Sequence, residues 1–113
     1  MKIDNVSNCK QGWFIGNFDP VILKTINFEV AFHSLPKGHR SDNHYHLESL
    51  EMNLVVSGRI AVAVEGASKA YRILSKGDIF IYEAGEKTDV ICETDVDLVV
   101  IKTPSIPGDK YWI

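Results

Sequence analysis

Two histidines one residue apart, His44 and His46, followed by a carboxylate at Glu51, are the side chains of this sequence best suited to chemistry. On a β-strand, residues i and i+2 project from one face, so both imidazoles point the same way. Glu51 opens the next apolar run, and a turn over Leu47–Leu50 folds it back beside them. Two neutral imidazoles and one carboxylate form the facial ligand set used for non-haem iron and related divalent metals. A His-x-His pair by itself suits surface or core histidines equally well. His33, His39, Glu48, Glu86 and Asp89 are further side chains within reach as substitute ligands, and the sequence favours none of them.

The elements that position these residues read as strands. Apolar or β-branched runs recur at Trp13–Phe18, Lys24–Leu35, His44–Leu47, Glu51–Ser57, Ile60–Glu65, Ala70–Leu74, Ile79–Tyr82, Asp89–Glu93 and Leu98–Thr103. Between them stand breaks such as Asp19-Pro20, Pro36-Lys37-Gly38, Glu65-Gly66, Lys76-Gly77-Asp78 and Ala84-Gly85. Many short strands at even spacing predict an all-β sandwich or barrel. Ser57-Gly58-Arg59 reads as a tight hairpin, with the glycine supplying a positive φ. The two prolines of Pro104–Gly108 keep the tail out of any central strand. Tyr111 and Trp112 would then pin it to the outside by apolar burial. Trp13, Phe14 and Phe18 read as packing residues, with a place at a ligand-binding mouth as the other use. Asp78 reads as a turn cap.

The spacing Gly38, five residues, His44, one residue, His46, four residues, Glu51, six residues, Gly58 reproduces without a gap the first motif of the cupin family. The chain thereby resembles a small single-domain cupin. A second motif is partly present: Gly77-Asp78 before Ile79–Tyr82, then Gly85. The family's proline is replaced by Glu83, its third histidine by Thr88 and its late asparagine by Cys92. The resemblance implies a double-stranded β-helix, or jelly-roll barrel. One domain would span 1–113, with the core motifs at about 38–103 and the tail 104–113 wrapping the barrel. It further implies a divalent ion (iron, manganese, nickel or zinc) on His44, His46 and Glu51, bound more weakly for want of the third histidine. A hydroxyl at Thr88 is a poor ligand unless deprotonated. No organic cofactor is implied.

Three functions follow from that resemblance. The first is a metal-dependent enzyme acting on a small polar metabolite, such as an isomerase or dioxygenase of cupin type. The second is a metal-free isomerase or epimerase of the sugar type, with His44 or His46 as general base and Tyr82 as acid. The third is a non-catalytic small-molecule binding protein, which would tolerate Thr88 most easily.

Composition narrows the partners. The chain has 113 residues, 45% hydrophobic and 24% charged, with a formal net charge of -3. That composition suits a folded globule, and the mildly acidic balance offers no basic footprint for nucleic acid or anionic membranes. No apolar run is long enough to cross a bilayer, and the N-terminus lacks the apolar centre of a secretory signal. Two distant cysteines, Cys9 and Cys92, indicate a reducing cytoplasm rather than a disulfide framework, with Cys92 a buried apolar side chain. Alternation in Glu51–Ser57 puts Glu51, Asn53, Val55 and Ser57 on one face and Met52, Leu54 and Val56 on the other. Leu98–Ile101 is apolar on both. A barrel of this length has little left to cover such a face, which predicts a homodimer.

Overall fold

The alternation read in the sequence is what the backbone uses. The computed structural model describes residues 1–41, 44–64 and 70–112. Eleven strands occur among them: β1 (Trp13–Gly16), β2 (Leu23–Lys24), β3 (Glu29–Leu35), β4 (His44–Tyr45), β5 (Leu50–Ser57), β6 (Ile60–Val64), β7 (Ala70–Leu74), β8 (Ile79–Tyr82), β9 (Val90–Cys92), β10 (Val96–Thr103) and β11 (Tyr111–Trp112). Two single-turn 3-10 helices precede β1. The larger sheet runs β2-β1-β3-β10-β5-β8, a second runs β7-β6-β9, and β11 pairs with β4. This is the all-β, double-stranded β-helix architecture expected from the sequence.

Strand β10 shows the rule most plainly. Its residues alternate buried and half-buried along the whole strand, because successive side chains of a strand face opposite sides. Val96, Leu98 and Val100 point inward onto Ala31, Val55, Ile60, Val62, Val90 and Cys92, which together form the core. Cys92 is 1% exposed, as its apolar surroundings in the sequence require.

Pairing register turns the inner face of the large sheet into rows. Lys102 lies opposite Glu29 of β3 on one side and Glu51 of β5 on the other, and Glu51 lies opposite Tyr82 of β8. One polar row, Glu29–Lys102–Glu51–Tyr82, thus crosses four strands. On the outer face the same register sets two apolar rows, Val30–Ile101–Met52–Ile81 and Phe32–Val99–Leu54–Ile79. Exposure in these rows is greatest at β8, where Ile79 is 67% and Ile81 50% exposed.

Several expectations are corrected. The run Lys24–Leu35 is not one strand. It breaks after Lys24 at a turn in which the Asn27 N–H donates to the Thr25 hydroxyl, and β3 begins at Glu29. The segment read as His44–Leu47 keeps strand pairing only at His44–Tyr45. Ser57-Gly58-Arg59 is not a hairpin, because β5 and β6 belong to different sheets and the chain crosses between them there. Gly58 is still required: its φ is +87°, and a Cβ would lie 2.0 Å from the Asp95 carbonyl oxygen. The tail is not held by burial of Tyr111, which is 41% exposed and stacks on Tyr45. Its buried anchors are Ser105 and Asp109, each 4% exposed. The Trp112 side chain and the Glu65-Gly66 break lie outside what is described. Asp78 does cap its turn, accepting the Ser75 N–H at 2.8 Å.

Candidate metal centre

Strand β4 is short, and His46 lies one residue beyond it, yet the two imidazoles stay together with ring centroids 5.1 Å apart. Glu51, the second residue of β5, comes in beneath them on the inner face. One potential ligand atom from each of His44, His46 and Glu51 lies within 4.8 Å of the others. No other group of three or more histidine, cysteine or carboxylate side chains among the described residues is placed to hold an ion. Among the substitute ligands considered, Glu48 is exposed. Glu86 accepts the Glu83 N–H, and Asp89 accepts from the Tyr71 hydroxyl and pairs with Arg40. His33 and His39 line the same cavity as the cluster without joining it.

Each ligand candidate is held from behind. The His44 Nδ1 lies 3.0 Å from the Thr88 hydroxyl, and the Thr88 N–H donates to the His44 carbonyl at 2.9 Å. Thr88, where the sequence resemblance expects a third histidine, therefore braces the His44 ring by side chain and backbone. The His46 Nδ1 is hydrogen-bonded to the Asp109 backbone carbonyl. A carbonyl only accepts, so this Nδ1 carries a proton. The His46 Nε2 faces Glu51 Oε1 at 3.3 Å, a hydrogen-bonded pair when Nε2 is protonated and two donor atoms for an ion when it is not. Glu51 Oε2 accepts from the Asn53 side-chain amide at 3.1 Å. Partners of this kind fix ring orientation and ligand basicity in metal sites.

Electrostatics keep Glu51 ionised. Burial works against its carboxylate, but hydrogen bonds from His46 and Asn53 and the charges of His46 and His44 outweigh it and hold the carboxyl below its usual range. His33 shifts downward too, mainly through burial and against the opposing charge of Glu51, so its imidazole is neutral. Tyr82 sits in the core at 6% exposure, its hydroxyl accepting the Asp89 N–H at 3.3 Å. Burial pushes it up to about 12, and it is not among the residues lining the cavity.

That cavity has a volume of about 1120 Å³, and all four histidines of the chain line it. Trp13 forms part of the wall and also packs on the core, meeting His33 edge-on at 5.5 Å and Phe18 at 6.4 Å. Deeper in, the Lys102 ammonium pairs with Glu29 at 2.9 Å, both side chains nearly buried. Sequence reasoning missed Glu29, Lys102 and Asp109. The first two come together only through register. Asp109 lies in a tail whose sole sequence signals were turn formers.

Comparison with known proteins agrees with this fold. The cupin domain profile matches residues 31–103. No curated protein matches. A structure of an uncharacterised double-stranded β-helix protein from Klebsiella pneumoniae superposes with a TM-score of 0.68 at 19% identity, covering 78% of this chain and 71% of that one. KdgF from a Halomonas species gives 0.64 at 23% identity, covering 73% and 74%. The DMSP lyase DddQ from Ruegeria pomeroyi gives 0.73 at 17% identity, covering 88% of this chain and 49% of that one. The present chain thus spans about half the length of that lyase. At these identities the likeness is one of fold.

Proposed function

The chain belongs to the cupin family, and from that premise we propose that it is a metal-dependent cupin acting on a small polar metabolite in the barrel. His44, His46 and Glu51 hold a divalent ion of the iron, manganese, nickel or zinc kind. A bound ion of this type supplies Lewis acidity to a substrate oxygen or a site for oxygen activation. The protein's own part is to hold both imidazoles in one orientation, keep Glu51 ionised and line the approach with neutral His33 and the Trp13 ring. The observation that carries the reading is the convergence of ligand atoms from His44, His46 and Glu51 within 4.8 Å of one another, with His46 Nδ1 and Glu51 Oε2 already engaged from behind. The lyase activity named for the DddQ structure belongs to that protein. It supports the reading only in that the same fold elsewhere serves a small-molecule enzyme.

Elemental analysis of untagged protein beside His44→Ala and Glu51→Ala is the direct test. Near-stoichiometric metal in the wild type, lost in both variants while their circular dichroism is unchanged, is the expected result. Protein that retains no ion after incubation with iron(II), manganese, nickel and zinc in turn would overturn the proposal.

A further inference from the structure

In the tail after β10, β11 pairs alongside His44, and Asp109 engages the surroundings of the cluster twice. The Asp109 carbonyl receives the Nδ1–H of His46. The Asp109 carboxylate accepts the N–H groups of Leu47 at 2.9 Å, Glu48 at 3.1 Å and Ser49 at 2.9 Å. Those three N–H groups belong to the turn that connects His46 to Glu51, so one side chain fixes the path between two of the three ligands. Ser49 is fully buried and its hydroxyl donates to the Pro104 carbonyl at 2.9 Å, closing the turn against the start of the tail. Burial by itself would raise the Asp109 carboxyl. The donors from Ser49, Glu48 and Leu47 outweigh it and keep it below its ordinary range.

We propose that Asp109 is a positioning residue of the metal centre. It sets the His46 ring with its backbone and the His46–Glu51 spacing with its side chain, so the tail belongs to the site rather than to its packaging. The inference rests on the metal reading above. A carboxylate accepting three backbone N–H groups makes charge-assisted bonds, each stronger than a neutral one. An isosteric amide has one acceptor oxygen, which serves either Leu47 alone or Glu48 and Ser49 together, and its NH2 group faces the donors that remain. Ligand geometry then loosens, and outer partners of this kind are worth about 10- to 100-fold in metal affinity.

The experiment titrates cobalt(II) into the apo forms of wild type, Asp109→Asn, Thr103→Val and His44→Ala, following affinity and the d–d absorption bands, with urea stability measured in parallel. Thr103→Val removes the hydrogen bond from the Thr103 hydroxyl to the Asn27 carbonyl at 2.8 Å, which ties the root of the tail to the segment before β3 and is not one of the bonds that Asp109 makes to the turn. The expected result is a wild type that binds, a His44→Ala form that does not, and an Asp109→Asn form that is folded but about 10- to 100-fold weaker with altered bands. Thr103→Val should lose stability and keep wild-type affinity and bands. Equal affinity and spectrum in Asp109→Asn would overturn this inference alone. So would a matching loss of affinity in Thr103→Val, which would reduce Asp109 to general stability. Failure of the wild type to bind cobalt would overturn both this inference and the metal reading.

Discussion

Replacing Glu29 by Gln should weaken metal binding at a residue that is not a ligand. Lys102 stands between two carboxylates in one cross-strand row and pairs with Glu29, its ammonium 2.9 Å from Oε1, with side chains 10% and 7% exposed. Removing one partner of a buried pair typically costs about 3–5 kcal/mol, because the other charge is stranded. The amide oxygen of Gln recovers about 1 kcal/mol as a neutral hydrogen bond, which leaves a deficit of about 2–4 kcal/mol. Directly opposed residues in a sheet have Cβ atoms about 5 Å apart, so Glu51 is within reach of the ammonium. At about 4 Å and an effective dielectric near 20, that attraction is on the order of 4 kcal/mol, enough to draw Lys102 across. An incoming metal would then have to displace it. If about 2–3 kcal/mol of that attraction survives as competition, affinity falls about 30- to 150-fold. Isothermal titration with zinc, with urea unfolding of the apo protein alongside, reads both quantities. The double variant Glu29→Gln with Lys102→Met should recover the affinity. A single variant within twofold of wild-type affinity, or a double variant as weak as the single, would refute the reasoning.

Thr88→Val removes the hydroxyl at His44 Nδ1 with little change of shape and should weaken zinc about 10- to 100-fold. Thr88→His should instead tighten binding, since the position is buried at 3% exposure and adjoins the cluster; unchanged affinity would mean that the new ring cannot turn toward it. Tyr82 has a folded pKa raised to about 12 from 10.0, so its protonated form is favoured by folding. That stabilisation is complete below pH 10 and is lost as pH rises toward 12, on the order of 2 kcal/mol. A plot of urea stability against pH should fall over that window by this amount more in the wild type than in Tyr82→Phe. The two outer apolar rows carry no charged side chain, which suits a second copy of the same face. Light scattering should give twice the chain mass, and Ile79→Lys should give the chain mass; a monomeric wild type would sink the idea.

How much of this was legible in the sequence depended on the range of the interactions. Period-two alternation exposed the strands and both faces of β5 and β10, because a strand's faces are set locally. The His44, His46 and Glu51 cluster was legible because the three residues fall within one short stretch. The break after Lys24 was missed because the partners that hold Thr25-Ile26-Asn27 out of a strand include Ser105 and Thr103, far along the chain, besides the Thr25 hydroxyl. The crossing at Gly58 was mistaken for a hairpin because a positive φ is needed in either case. The roles of Thr88, Lys102 and Asp109 depend on partners 44, 73 and 63 residues away, His44, Glu29 and His46 respectively. No local pattern announces such pairings.

The candidate ligands are near neighbours in the chain while one of their supports lies 63 residues beyond His46, outside the barrel strands, and this separation has a kinetic side. A tail held by the two-residue β11 and by Asp109 can open while the barrel stays shut, since peripheral segments with little paired backbone unfold locally at lower cost than cores. Ion release would then follow tail opening rather than global unfolding. With a chelator such as EDTA, the stripping rate should climb at first and then reach a plateau as chelator is raised. That plateau measures how often the tail lifts, which makes the exchange rate of the ion a clock for the segment around Asp109.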